Sequence, residues 1–237
     1  MSEWKAKRFW KEAAATEVEG GFGVALDGRP VKTPAKAGLV VPSRALAQGI
    51  AAEWDAQEKE IKTETMPLTR ATNAAIDKVA VQFTEVADML AAYGDSDLTC
   101  YRATEPAGLI ERQAEAWDPL LDWAGQRYGA RLKPTQGVMH VAQAPGSLKL
   151  VSAPLYEMTE FELTAMHDLV SLSGSLVIGL AAFEDAFSLA DLWTWSRIDE
   201  RWQEELWGED DEATALAGVK RASFFAAHHF LELVRQP

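Results

Sequence analysis

A single cysteine, Cys100, stands in 237 residues, which excludes an internal disulfide framework and a multi-cysteine zinc site. Basic side chains are scarce: 23 Lys and Arg face 36 Asp and Glu, for a net charge of −13. Such a chain repels phosphate backbones and anionic lipid, so nucleic acid and membrane surfaces are poor partners and proteins with basic faces are better ones. Long apolar runs are missing too. The fifteen uncharged residues between Asp168 and Glu184 fall short of the roughly 20 that span a bilayer, and read as a buried helix rather than a membrane insertion. The opening MSEWKAKRFWKE has neither an apolar signal core nor a Ser-rich transit pattern. A cytoplasmic location is the expectation.

What is present looks globular: 48% apolar and 25% charged residues. The charge is uneven, near neutral over residues 1–80 and strongly acidic over 81–237, which points to two regions with different work. In the first, Phe22–Leu26 and Arg29–Thr33 flank Asp27-Gly28, a hairpin signal, and Leu39–Val41 reads as a further strand. Ser43 is placed to cap a helix with Leu46, Ile50 and Trp54 on one face. Helices follow from about Thr69 to Val79 and from Gln82 to Ala92. Beyond Tyr93–Asp97 the pattern is almost wholly helical. Leu109, Ile110, Gln113 and Trp117 form a stripe that Pro119 should interrupt, with Asp118 capping a new helix. Thr159 and Glu162 make a capping box, and Ser173-Gly174-Ser175 separates two further helices. Ser188 and Asp191 open a helix carrying Trp195, Ile198, Trp202 and Leu206, which Gly208 ends before another begins. The fold class is therefore α+β: a small N-terminal α+β domain with a hairpin and short antiparallel sheet, then an all-α domain. The expected domains are 1–80 and 81–237, with the join between 68 and 100.

Catalytic sets are hard to assemble. Gly94-Asp95-Ser96 resembles an esterase nucleophile block, but no histidine carries an acid three residues before it. His167-Asp168 fits the middle of a two-metal phosphohydrolase site, yet only His140 precedes it. No metal-ligand set and no cofactor motif emerges. Two features remain. Four of nine tryptophans (Trp193, Trp195, Trp202, Trp207) fall within fifteen residues; Trp202 is expected to fill a helix seam, and others to act as anchors, since tryptophan is enriched in binding hot spots. Residues 199–212 hold eight acids and one base, a repulsion that a basic partner relieves.

Seven blocks, taken in order, carry a family likeness: RFWK at Arg8–Lys11, LDGRPVKTP at Leu26–Pro34, IAAEWDAQ at Ile50–Gln57, MPLTR with NAAID at Met66–Asp77, WDPLLDW at Trp117–Trp123, SGSL at Ser173–Leu176, and DERWQEELWGED at Asp199–Asp210. Together they resemble the ATP-synthase assembly chaperones of mitochondria and some bacteria, which bind the free alpha subunit of the catalytic head. The resemblance implies a non-enzymatic chaperone with an α+β N-terminal and an all-α C-terminal domain. It shields the apolar alpha surface until beta arrives, since such surface aggregates when exposed. It also implies a critical C-terminal acid, matched at Glu209 with Glu205 the alternative, and with Trp207 and Asp210 beside it as partner-binding residues. A monomer is the expected working form, and the resemblance implies a bacterial cytoplasm, with the mitochondrial matrix open only if a targeting extension is missing from this chain. A hydrolase using Ser96 or a metal at His167, and an acidic adaptor for another basic protein, are the alternatives.

Overall fold

The computed structural model describes residues 7–236. Asp27 and Gly28 take positive φ of 48° and 79°, the mirror-image turn whose twist suits a two-residue hairpin. They join β2 (Gly21–Leu26) to β3 (Arg29–Pro30). On the other edge of β2 lies β1 (Ala13–Val18), antiparallel from Ala13↔Leu26 to Val18↔Gly21. Pairing there overrides the helix propensity of three successive alanines. Strand β4 (Val40–Val41) also pairs with β2, through Phe22↔Val41. Glycine is required at position 21, where a Cβ would sit 2.4 Å from the Val41 carbonyl oxygen.

Helix α1 (Arg44–Asp55) starts as its sequence indicates: Ser43 Oγ accepts from Leu46 N at 3.0 Å, and Leu46 and Ile50 are fully buried. The Glu53 carboxylate accepts from Leu68 N and Thr69 N, at 2.7 and 2.8 Å, and so caps α2 (Pro67–Ala74). One π-helical turn, Ala75–Val79, continues it. These elements lie in a compact unit whose described residues are 7–83, 159–165 and 229–236.

The second unit, Thr84–Met158 with Met166–His228, is mainly helical. It contains nearly all of α3 (Phe83–Ala92), together with α4 (Ala107–Tyr128), α5 (Pro145–Ser152), most of α6 (Glu160–Ser173), α7 (Leu176–Phe183), α8 (Leu189–Trp195), α9 (Ile198–Trp207) and most of α10 (Asp211–Arg235). A two-stranded parallel sheet pairs β5 (Tyr101–Arg102) with β6 (Thr135–Gln136). The capping box forms: Glu162 N donates to Thr159 Oγ1 at 3.2 Å, and Thr159 N to Glu162 Oε2 at 3.0 Å. Gly174, at φ 73°, breaks α6 from α7 as expected. The later half of the uncharged run is buried, since Leu176–Ala182 have almost no exposure, but the run is shared between α6 and α7 and Ser171 is exposed. No helix among the described residues is long and apolar enough to cross a membrane.

Two expectations fail. Pro119 does not interrupt α4, which runs through it, and Asp118 caps nothing: it pairs with Arg102 at 2.8 Å. An interior proline costs about 3 kcal/mol. Trp117, Leu120 and Ala124, all completely buried around it, supply more than that. The second failure is the single helix drawn through Trp195 and Leu206. It is two helices, because Ser196 Oγ donates to Trp193 O at 2.7 Å and Arg197 leaves the helical region at φ −121°. The break leaves Trp195 O to accept from Trp117 Nε1 at 2.9 Å.

Candidate functional site

The acidic segment is α9, the corner after it and the start of α10. Its root is fixed. Ile198 is buried, and Asp199 Oδ1 accepts from Gln113 Nε2 at 2.6 Å, while Gln113 Oε1 accepts from Ala103 N at 2.8 Å. Glu200 pairs with Arg197 at 2.7 Å. One turn on, the half-buried Trp202 ring lies against α4, where a Cβ at Gly108 would come within 3.0 Å of its Cη2. The Arg112 guanidinium covers the ring 4.9 Å from its centroid. Trp202 thus fills the expected seam, against α4.

Arg112 also reaches Glu205, forking onto both oxygens at 2.8 and 2.9 Å. That bond holds the Glu205 carboxyl below the usual carboxylate range and raises the arginine. Past the fork the chain is open: Leu206, expected on the apolar stripe, is 58% exposed and Trp207 is 79% exposed. Gly208 ends α9 at φ 90°. Asp210 Oδ1 accepts from Ala213 N at 2.8 Å, so it caps α10, with Asp211 and Glu212 in the first turn. Between Gly208 and Asp210 stands Glu209, exposed and with no ion pair or side-chain hydrogen bond among the described residues. Of the four residues singled out for partner binding, Glu205 and Asp210 are engaged within the chain, and Trp207 and Glu209 are presented to solvent.

The catalytic alternatives do not assemble. Ser96 is exposed, and the nearby His140 meets Tyr101 Oη at 3.0 Å and Asp95 Oδ2 at 3.3 Å rather than the serine. His167 Nδ1 bonds Asp168 at 2.9 Å, which raises its pKa. No group of three or more potential metal ligands occurs among the described residues.

The family model described as ATP12 chaperone protein matches residues 7–125, half of the chain. The chain belongs to the ATP12 chaperone family. It is 46% identical to Atp12 from Paracoccus denitrificans, whose crystal structure matches over 98% of this chain and 100% of that one with a TM-score of 0.95. An aspartate-to-lysine mutant of the same Paracoccus protein matches over 99% and 100%, also at 0.95. The mitochondrial protein atp12 of Schizosaccharomyces pombe is 25% identical over 219 residues, 87% of this chain and 75% of that protein. This chain is an ATP12-family assembly chaperone of ATP synthase.

In this ATP12 chaperone, sequence reasoning missed three residues that shape the helical unit. Arg112 and Gly108 lie about ninety residues from the α9 groups they hold, and no local spacing signals them. Asp97 passed for part of a turn, yet it is fully buried at the α7 N-terminus, accepting from Ser175 Oγ at 2.7 Å and Val177 N at 3.0 Å. Burial pushes its carboxyl up, opposed by these donors and two from Thr99. Neighbouring Cys100 is buried as well, and burial with the Asp97 charge pushes its thiol up to about 12. The thiolate is the reactive form, so native Cys100 should resist alkylation at pH 8 for as long as the unit stays closed, and react at once in denaturant. Mass spectrometry of iodoacetamide-treated protein checks this; rapid native labelling contradicts it.

Proposed function

We propose that this chain binds the free alpha subunit of the ATP synthase catalytic head through the corner between α9 and α10. It shields there the surface that alpha later buries against beta. The observation that carries the reading is Trp207, an indole 79% exposed two residues from Glu209, a carboxylate without a side-chain partner among the described residues. A soluble protein gains nothing for its own stability from such a pair. A protein that captures a surface mixing apolar groups with cations gains an aromatic anchor and a charge contact. Glu205 and Asp210 add to the acidic surface while engaged within the chain, the first by Arg112 of α4 and the second as the cap of α10. The chain works as a chaperone without catalysis of its own, and the nearer bacterial relatives favour a bacterial cytoplasm.

Co-expression tests the reading. The alpha subunit, aggregated when made alone, should remain in the soluble fraction and co-purify with this chain. Ser96→Ala and His167→Ala chains should protect it equally well, since neither side chain has a place in the proposed surface. Alpha that aggregates to the same extent with and without the chain sinks the proposal; loss of protection in a folded Ser96→Ala protein revives the hydrolase alternative.

A further inference from the structure

The ten residues of α9 are too few to be a stable helix alone. Its sequence adds like charges at Glu200 and Glu204, one helical turn apart, and its buried residue, Ile198, lies at its root. Among the described residues, its outer half is tied to α4 by the Trp202 ring and by one cation. Arg112, in the second turn of α4, forks onto Glu205 at 2.8 and 2.9 Å and stacks on Trp202 at 4.9 Å. Glu205 precedes Trp207 by two residues, about 3 Å along the axis at 1.5 Å per residue, so the fork is fastened within one turn of the exposed indole.

We infer that Arg112 is a positioning residue for partner binding: through its fork on Glu205 and its cover on Trp202, it fixes the direction in which α9 presents Trp207 and Glu209. On this assignment Glu205 acts on the partner through geometry and not by contact. The inference rests on the alpha-binding reading above. An unanchored last turn, ending at a positive-φ glycine, frays, and its side chains must then be ordered anew at every encounter. Preorganised surfaces avoid that ordering, which for a few side chains is worth about ten-fold in affinity. The planar guanidinium suits this task because it grips two oxygens and stacks on an indole at once.

The discriminating experiment is a charge exchange in the full chain: Arg112→Glu, Glu205→Arg and the double variant, each titrated with purified alpha subunit and each followed by amide hydrogen exchange in the free state. Each single variant should bind alpha about ten-fold more weakly and lose protection at the amides of residues 203–208. The double variant should regain most of both, because the fork is rebuilt with its charges reversed, and fall short of wild type only by the cover that a carboxylate at 112 cannot give the Trp202 ring. Restored amide protection without restored binding shows that the partner reads the Glu205 carboxylate itself, and overturns the positioning role. Single variants that bind like wild type overturn it too. A wild-type chain that binds no alpha defeats the alpha-binding reading and this use of the fork with it, whereas normal wild-type binding with unchanged exchange in the single variants defeats the fork alone.

Discussion

A chain carrying Glu209→Lys should fold almost as stably as wild type and yet leave the alpha subunit insoluble. Two magnitudes separate these outcomes. Glu209 is exposed and has no side-chain partner among the described residues. Its replacement therefore costs the chain only a favourable position near the α10 N-terminus, about 0.3–1 kcal/mol. For a chain of this length that moves the melting temperature by about 2–4 °C per kcal/mol. At an interface, removing one member of a desolvated charge pair costs about 2–5 kcal/mol, or more than about thirty-fold in affinity, and a lysine adds repulsion where the partner is cationic. Wild-type association should also weaken with added salt, since the Debye length shrinks from about 10 Å at 0.1 M to about 3 Å at 1 M. Thermal unfolding of the variant, paired with alpha solubility on co-expression, decides the matter. A variant that melts far below wild type, or one that protects alpha as well as wild type, removes Glu209 from the recognition surface.

The position of Glu209 was legible because local punctuation fixes it. Gly208 can take the positive φ that ends a helix, and Asp210 can cap the next one. The residue between them makes no side-chain hydrogen bond or ion pair among the described residues. The same kind of signal located the Asp27-Gly28 turn, the Ser43 cap and the Thr159–Glu162 box, each a rule satisfied within four residues. The failures have the opposite character. Pro119 stays inside α4 because of buried neighbours, and the α8–α9 break depends on a Ser196 hydroxyl with two structural options, outward to solvent or back to a carbonyl. Arg112 and Glu205 are 93 residues apart, so the fork exists only once α4 and α9 are side by side. Composition set the sign of the surface, and topology decided which of its carboxylates are already taken.

Asp97 illustrates how large such a non-local contact can be, and Asp97→Ala should be the most destabilising single change in the helical unit outside its aromatic core. Its Oδ1 accepts from Ser175 Oγ at 2.7 Å, Thr99 Oγ1 at 2.8 Å and Thr99 N at 3.0 Å, and its Oδ2 from Val177 N at 3.0 Å. The side chain is completely buried, so the donors it satisfies are not open to bulk solvent when it is removed. The orphaned groups include Val177 N, in the first turn of α7, and a buried donor left unsatisfied costs about 1–3 kcal/mol. With Thr99 N orphaned as well, and a cavity in place of the carboxylate, the expected loss is about 3–5 kcal/mol. Asp97→Asn should cost less, about 1–3 kcal/mol: its oxygen can replace Oδ1, but its amide nitrogen then faces the Val177 N–H, donor against donor. Denaturant midpoints of the two variants give the ranking. Cys100 supplies an independent reading, because the opening that Asp97→Ala permits should expose the thiol to alkylation faster than in wild type. If Asp97→Ala unfolds within 1 kcal/mol of wild type, or its Cys100 labels no faster, the hydrogen bonds at the α7 N-terminus do not hold the unit closed.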